Sequence, residues 1–425
     1  MKSHSNIQPP NTQEANQPFA KWGLWFGSAL LFFLLASLLG TTMRLAWVVE
    51  LPFVDYKHLL HAHSHTAMLG WGFAAVAGGL LLGFVPRTSI WPRYRWVLYL
   101  NIIATAGMIV FFIYQGYGAF SIAFSTLHIA AAYLFCARFL KDIHKQPASP
   151  QRFLAKWSIY WLLLSTLGLW GIAPISAFLS KIHPLYFASI QFFTHFQFNG
   201  WFTFAVLAVL THILNRSNNP LRLPLWLKAT LIASTALTYA LSITWSTPEN
   251  ALFYTNSVGV LLQVVGFAAL FKMLASRTFT VFTKGSHPAY LLQAGLFCLL
   301  LKVAIQTAVA IPVVAKISYT IHNFVIGFIH LIMLGFFTLS LLAALHHFKV
   351  LPSGKWSKTG TTLLGIAFLS TELVLFGQGL LLWLKQGYVE HYHSIIFTLT
   401  LLFPLSIALI LYHFKKFYQE HSTPV

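Results

Sequence analysis

The chain has 425 residues, 57% apolar and only 8% charged, and its net charge is +19, from 27 Lys+Arg against 8 Asp+Glu. A soluble protein carries about 25% charged residues, so a water-soluble body is excluded, and the apolar content excludes a disordered or fibrous chain. The excess of base points to loops on one face of a membrane rather than to nucleic acid, and the 19 His stand out because imidazole in lipid needs a partner.

Residues 1–20 are polar, lack an apolar stretch, and read as a disordered cytoplasmic tail rather than a signal peptide. A single transmembrane domain is expected over 21–418, followed by a cytoplasmic tail at 419–425. A spanning helix needs about 20 mostly apolar residues. Twelve such runs follow, at about 22–49, 58–84, 94–114, 117–140, 156–180, 183–213, 224–246, 249–274, 288–312, 320–348, 359–385 and 390–418. Pro86 with Arg87, the Gln146–Arg152 stretch, Asn215 to Pro220, and Pro352 with Ser353 mark breaks between them. The runs are continuous rather than alternating, so a membrane barrel is excluded. The predicted fold is therefore all-α, a polytopic membrane bundle of about twelve helices.

Lys and Arg set the expected orientation. The loops after even-numbered spans and the two termini hold 21 of the 27 basic residues. The opposite side holds Arg44, Lys57, Lys181, Lys316 and Lys385, and Lys302 lies within a span. This bias predicts a multi-pass protein of the inner (plasma) membrane with both termini in the cytoplasm.

The membrane histidines fall on even-numbered spans, mostly in their outer halves. His58, His61, His63 and His65 open span 2, His128 is in span 4, and His183 and His195 are in span 6. His322 and His330 are in span 10, and His391 and His393 open span 12. Three of them start one pattern, H-x4-G-[WF]: His65 to Trp71, His195 to Trp201 and His330 to Phe336. The starts lie 130 and 135 residues apart, four spans each time, which predicts three pseudo-equivalent four-helix arcs. The glycine admits a neighbouring backbone or a flat cofactor. His58, His61 and His65, spaced i, i+3, i+7, share a helix face, and His63 points elsewhere.

Neutral imidazole is the common axial ligand of haem iron and also suits copper. No C-x-x-C-H is present, and Cys136 and Cys298 are isolated, so the haem would be b-type or otherwise non-covalent. A haem buried between helices needs His from two facing spans, and spans 2 and 10 can supply such a pair, while His63 and His195 are candidates for a second metal. Lys302 in span 9 and Glu372 in span 11 lie near half depth. They read either as a buried ion pair or, for Glu372, as a proton path. Arg44 reads as a partner for haem propionates or as a snorkelling cation.

In topology the chain resembles subunit I of the haem-copper oxidases, with twelve spans, both termini inside and three four-helix arcs. The resemblance implies a low-spin haem between spans 2 and 10, held by His61 or His65 and by His322 or His330, and a copper histidine at His195. Span 7 carries no histidine, and Asn199 stands where that family has a tyrosine four residues after the copper ligand. The His61-Ala-His63-Ser-His65-Thr-Ala-Met68 segment, running on to Pro86, is also similar to the NnrS family of haem- and copper-containing membrane proteins tied to nitric oxide stress. These resemblances imply a membrane redox protein in electron transfer or O2/nitric oxide chemistry. Its partners would be lipids, respiratory-chain subunits or a small electron donor, and not nucleic acid. Two alternatives stay open: a secondary or metal transporter using the same histidines, and a non-catalytic haem or copper stress protein.

Overall fold

The computed structural model describes residues 12–215 and 220–422. Twelve helices are long and apolar enough to cross a membrane: Lys21–Leu45, Tyr56–Phe84, Arg87–Gln115, Ala119–His144, Pro150–Phe178, Pro184–Leu214, Leu225–Ile243, Asn250–Ala275, His287–Ala308, His322–His347, Lys355–Trp383 and Tyr392–Glu420. They are numbered spans 1 to 12. The chain is a multi-pass, all-helical membrane protein. Both described ends lie on one face, called proximal below; the other is distal.

Two expected boundaries move. Of the expected disordered tail, residues 1–11 lie outside the described residues, but 12–20 are helical, because span 1 continues a helix that begins at Thr12. Glu14, Ala15 and Gln17 are adequate helix formers and give no stop signal. At the other end the last helix runs on to Ser422, four residues into the expected C-terminal tail, and 423–425 are not described.

Spans 2, 6 and 10 form the centre. In their most apolar stretches 78%, 94% and 67% of residues are buried, against at most 50% in any other span. Their proximal halves pack directly on one another. Gly79 permits this: a Cβ there would stand 3.0 Å from Leu341 of span 10 and 3.5 Å from Val209 of span 6. The other spans surround this triad, and the ring closes where span 1 packs on span 12.

Each central span is interrupted by a π-helical segment, at Thr66–Gly72, Phe196–Phe202 and Leu331–Leu339. Each begins at the residue after the repeat histidine, and each contains the repeat glycine and aromatic. The threefold sequence pattern is therefore a threefold backbone feature. In spans 6 and 10 a threonine eight residues after the histidine serves the widened turn: Thr203 donates to the Phe198 carbonyl and Thr338 to that of Met333, both at 2.7 Å. Thr338 also accepts from Trp71 Nε1 at 3.2 Å, tying span 2 to span 10. Phe337 stands edge-on to both Trp71 and Phe202, at 6.1 and 5.3 Å. The three segments thus meet around one aromatic cluster at the axis.

The repeat glycines turn away from the axis, towards the surrounding spans. An added Cβ would reach Thr105 and Phe32 at Gly70, Trp161 at Gly200, and Cys298 and Phe368 at Gly335. Neighbouring side chains fill these positions, so the glycines admit helices rather than a flat cofactor.

Candidate functional site

Distal to the π segments the three central helices diverge, and each repeat histidine faces a different set of neighbours. Three polar regions result, one per arc.

The first lies between span 2 and the turn joining spans 3 and 4. Asp55 caps span 2, its Oδ1 accepting from the amides of Lys57 and His58 at 2.8 and 3.0 Å. The His58 amide is the main cause holding this carboxyl below its usual value. The cap therefore keeps its charge in mild acid and is lost only as pH falls through that lowered value. His65 Nδ1–H donates to the His61 carbonyl at 2.9 Å, and His65 Nε2 lies 3.4 Å from the Tyr117 hydroxyl. The His61 ring stands 4.5 Å from that of Tyr117, and Phe112 packs on His65 at 4.3 Å. His58, His61 and His65 all look towards span 3 and its end. His128 bonds Asn101 of span 3 at 2.9 Å, a link between helices.

The second region belongs to spans 6 to 9. His195 Nε2–H donates to the Thr235 carbonyl of span 7 at 2.8 Å. Its Nδ1 then accepts, from Asn199 Nδ2 at 3.3 Å and Ser242 Oγ at 3.4 Å. The chain continues from Gln306 to Asn199 at 3.3 Å and from Gln263 to Gln306 at 2.6 Å. His195 is thus part of a hydrogen-bonded belt, and span 7 contributes to it the Thr235 carbonyl and the Ser242 hydroxyl. His183 caps span 6, accepting from the Leu185 amide. Asn256 of span 8 is fully buried with neither side-chain atom bonded.

Lys302 sits in this second region, 3% exposed, with Nζ 5.3 Å from the centre of the Phe267 ring. The expected ion pair with Glu372 is not formed: among the described residues no carboxylate lies within 4 Å of Lys302. Equal depth brought the two together on paper, but spans 9 and 11 each pack on span 10, which stands between them. An unpaired buried ammonium opposes folding. Lys302→Met is accordingly expected to raise stability in detergent by about 1–3 kcal/mol, measured by thermal or SDS unfolding; a comparable loss would mean that Lys302 has a partner.

The third region lies between spans 1, 2, 10 and 11. His63 turns away from its three neighbours, and its Nδ1–H donates to the Ala36 carbonyl of span 1 at 2.8 Å. Gly40 makes room for this ring, since a Cβ there would come within 2.9 Å of it. The Nδ1 bond fixes the tautomer and leaves the Nε2 lone pair free, the state of a metal-ligating histidine. His330 faces Glu372 of span 11, with Nδ1 to Oε1 at 3.9 Å. That is too long for a hydrogen bond. His330 Nδ1 and both Glu372 oxygens are buried without a bonded partner. Yet 28% of the His330 side chain remains accessible, eight residues below the distal end of its span. His63 and Arg44 both lie near enough to His330 to act on it electrostatically. Arg44 has no carboxylate within 4 Å among the described residues.

The site residues expected from sequence are therefore regrouped. His61 and His65 look towards span 3 and its terminal turn, and His63 is the span 2 histidine that acts electrostatically on His330. His322 opens span 10 at the distal end, eight residues from His330. Tyr117, which faces His65, carried no signal in the sequence because it lies in a turn between spans. Among the described residues no three His, Cys, Asp or Glu side chains converge as a metal cage. A haem would find in the third region an imidazole from each of spans 2 and 10, one with its tautomer fixed, a guanidinium with no carboxylate partner among the described residues, and orphaned buried polar atoms. The class defined by this fold and these regions is a twelve-span, all-helical membrane protein with polar sites in its distal half. No protein-family model matches the chain, and no curated protein matches it in sequence.

Proposed function

We propose that the protein is a haem-binding membrane redox protein, with one non-covalent haem held between spans 2 and 10 by His63 and His330. The observation that carries this reading is the state of the two imidazoles. His63 is bonded through Nδ1 to a backbone carbonyl, and His330 is half-buried with its Nδ1 unbonded and Arg44 acting on it electrostatically. A haem bound there would supply one-electron transfer. The Ala36 carbonyl orients His63 and raises its basicity. Arg44 offers a cation to a propionate. Glu372 faces the Nδ1 side of His330, where a carboxylate orients the ring and tunes the potential of a metal on its other nitrogen. The Lys and Arg asymmetry supports placing the proximal face, with both termini, in the cytoplasm and the haem in the outer half of the inner membrane. An electron donor or a respiratory-chain subunit would then approach from the distal face or within the bilayer. Oxygen or nitric oxide chemistry, as the haem-copper resemblance implies, is a further step of this proposal.

The test is a reduced-minus-oxidised spectrum and a pyridine haemochrome assay on protein made with ample haem. One b-type haem per chain is expected; a colourless protein overturns the reading. Haem without turnover on any donor, O2 or nitric oxide would indicate the non-catalytic stress protein. A second reading, a secondary transporter, draws on the belt from His195 to Gln263 with buried Asn256 and Lys302 beside it. Substrate-dependent uptake into liposomes by haem-free protein would favour it. Glu372→Gln is expected to retain haem and raise its midpoint potential, because removing a facing carboxylate destabilises the oxidised, more positive iron; an unchanged potential would separate Glu372 from the site.

A further inference from the structure

We propose that His61, His65 and Tyr117 form a separate site for one transition-metal ion, Cu2+ or Zn2+ in chemical class, at the distal end of spans 2 and 3. His61 and His65 are i, i+4 on one helix face, a spacing that lets two imidazoles share a metal; their ring centres stand 6.4 Å apart, so the unbonded His61 ring turns inwards as the ion binds. His65 is fixed by its Nδ1–H bond to the His61 carbonyl at 2.9 Å, which leaves Nε2 as the donor. That Nε2 lies 3.4 Å from the Tyr117 oxygen. As a hydrogen bond this is long. As the edge of a tetrahedral site it fits: donors about 2.0–2.1 Å from a shared ion stand about 3.4 Å apart. His61 makes no hydrogen bond through its ring among the described residues, and the ring lies 4.5 Å from that of Tyr117. A tyrosine oxygen thus completes a set that the histidines do not complete alone.

Tyr117 is held in place. Span 3 ends at Gly116, whose φ of +61° and ψ of −137° only glycine adopts readily, and this turn carries Tyr117 over span 2. Ser121 clamps the turn by donating to the Gly116 carbonyl at 2.6 Å and accepting from the Gly118 amide at 2.9 Å. Phe112 packs against both Tyr117 and His65, at 5.0 and 4.3 Å. Tyr117 is 59% exposed, so an ion can reach the site from the distal face. The inference is independent of the haem reading, since His63 and His330 take no part.

The experiment uses full-length, chelator-stripped protein in detergent, titrated with Cu2+ and followed by elemental analysis, visible absorption and electron paramagnetic resonance. One tight copper per chain is expected, with nitrogen couplings from two imidazoles and a tyrosinate-to-copper charge-transfer band. Tyr117→Phe should abolish that band and weaken binding at least tenfold. The double variant His61→Ala/His65→Ala should lose one copper per chain, and His63→Ala should lose none. A band that survives Tyr117→Phe overturns the site, as does unchanged copper in a monodisperse double variant. If the double variant does not fold, the Tyr117→Phe spectrum decides alone.

Discussion

Replacing His63 or His330 with alanine is expected to abolish the Soret band, with haem content falling at least tenfold in each variant. Under the proposed ligation each change would remove one of the two imidazoles holding the iron, and a single imidazole would not keep it low-spin between two helices. His61→Ala and His65→Ala should keep full haem content, because their rings face span 3 and Tyr117. The contrast lies within one helix, across positions two residues apart, so it separates ligation from general damage to span 2. Pyridine haemochrome assays on monodisperse protein provide the measurement. Haem lost in His65→Ala but kept in His63→Ala would reverse the assignment. Arg44→Ala belongs to the same series. It should weaken haem retention without changing the low-spin spectrum, as expected of a propionate partner and not of a ligand.

The second large effect is steric. Gly200→Ala is expected to destabilise the bundle by about 1–3 kcal/mol, the usual cost of overpacking. The new methyl would stand 2.5 Å from the Cβ of Trp161, an atom fixed to the span 5 backbone. Trp161 cannot swing aside easily, since it stacks on Phe196 at 5.2 Å. Gly365→Ala is the control: nothing lies within 4 Å of an added Cβ. There the better helix propensity of alanine should leave stability equal or raise it by up to about 1 kcal/mol. SDS-induced unfolding in mixed micelles reads both. Equal effects at the two positions would mean that span 5 does not press on span 6 as described.

The twelve spans were legible because lipid demands long apolar runs, and the runs are interrupted by proline and charge. The repeat was legible because His65, His195 and His330 each precede a glycine and an aromatic at one spacing. Relative angles on a helix were legible too: 58, 61 and 65 share a face, and 63 does not. The absolute rotation of span 2 was not. Periodicity fixes angles between side chains but not which face meets which neighbour, so the turn of His63 towards Ala36 and Gly40 of span 1 needed the packed bundle. Depth carries the same ambiguity, as Lys302 and Glu372 demonstrate from opposite sides of span 10. The π segments left no hydropathy trace, because widening a turn changes the direction of residues and not their polarity.

Those widened turns have a consequence for how the protein tolerates change in length. Each residue added to a helix turns everything beyond it by about 100°. A π turn is that addition absorbed locally, so the proximal half of each central span can keep its apolar faces on the axis while the distal half aims its histidine elsewhere. Removing one residue between His330 and Ser340 would leave a continuous α-helix that still spans the membrane and still packs at the centre. It would, however, swing His330 about a quarter turn away from Glu372. The five residues between each repeat histidine and its aromatic thus act as a phase setting between scaffold and site, and single-residue deletions there should disrupt the three polar regions one at a time while the bundle stays whole.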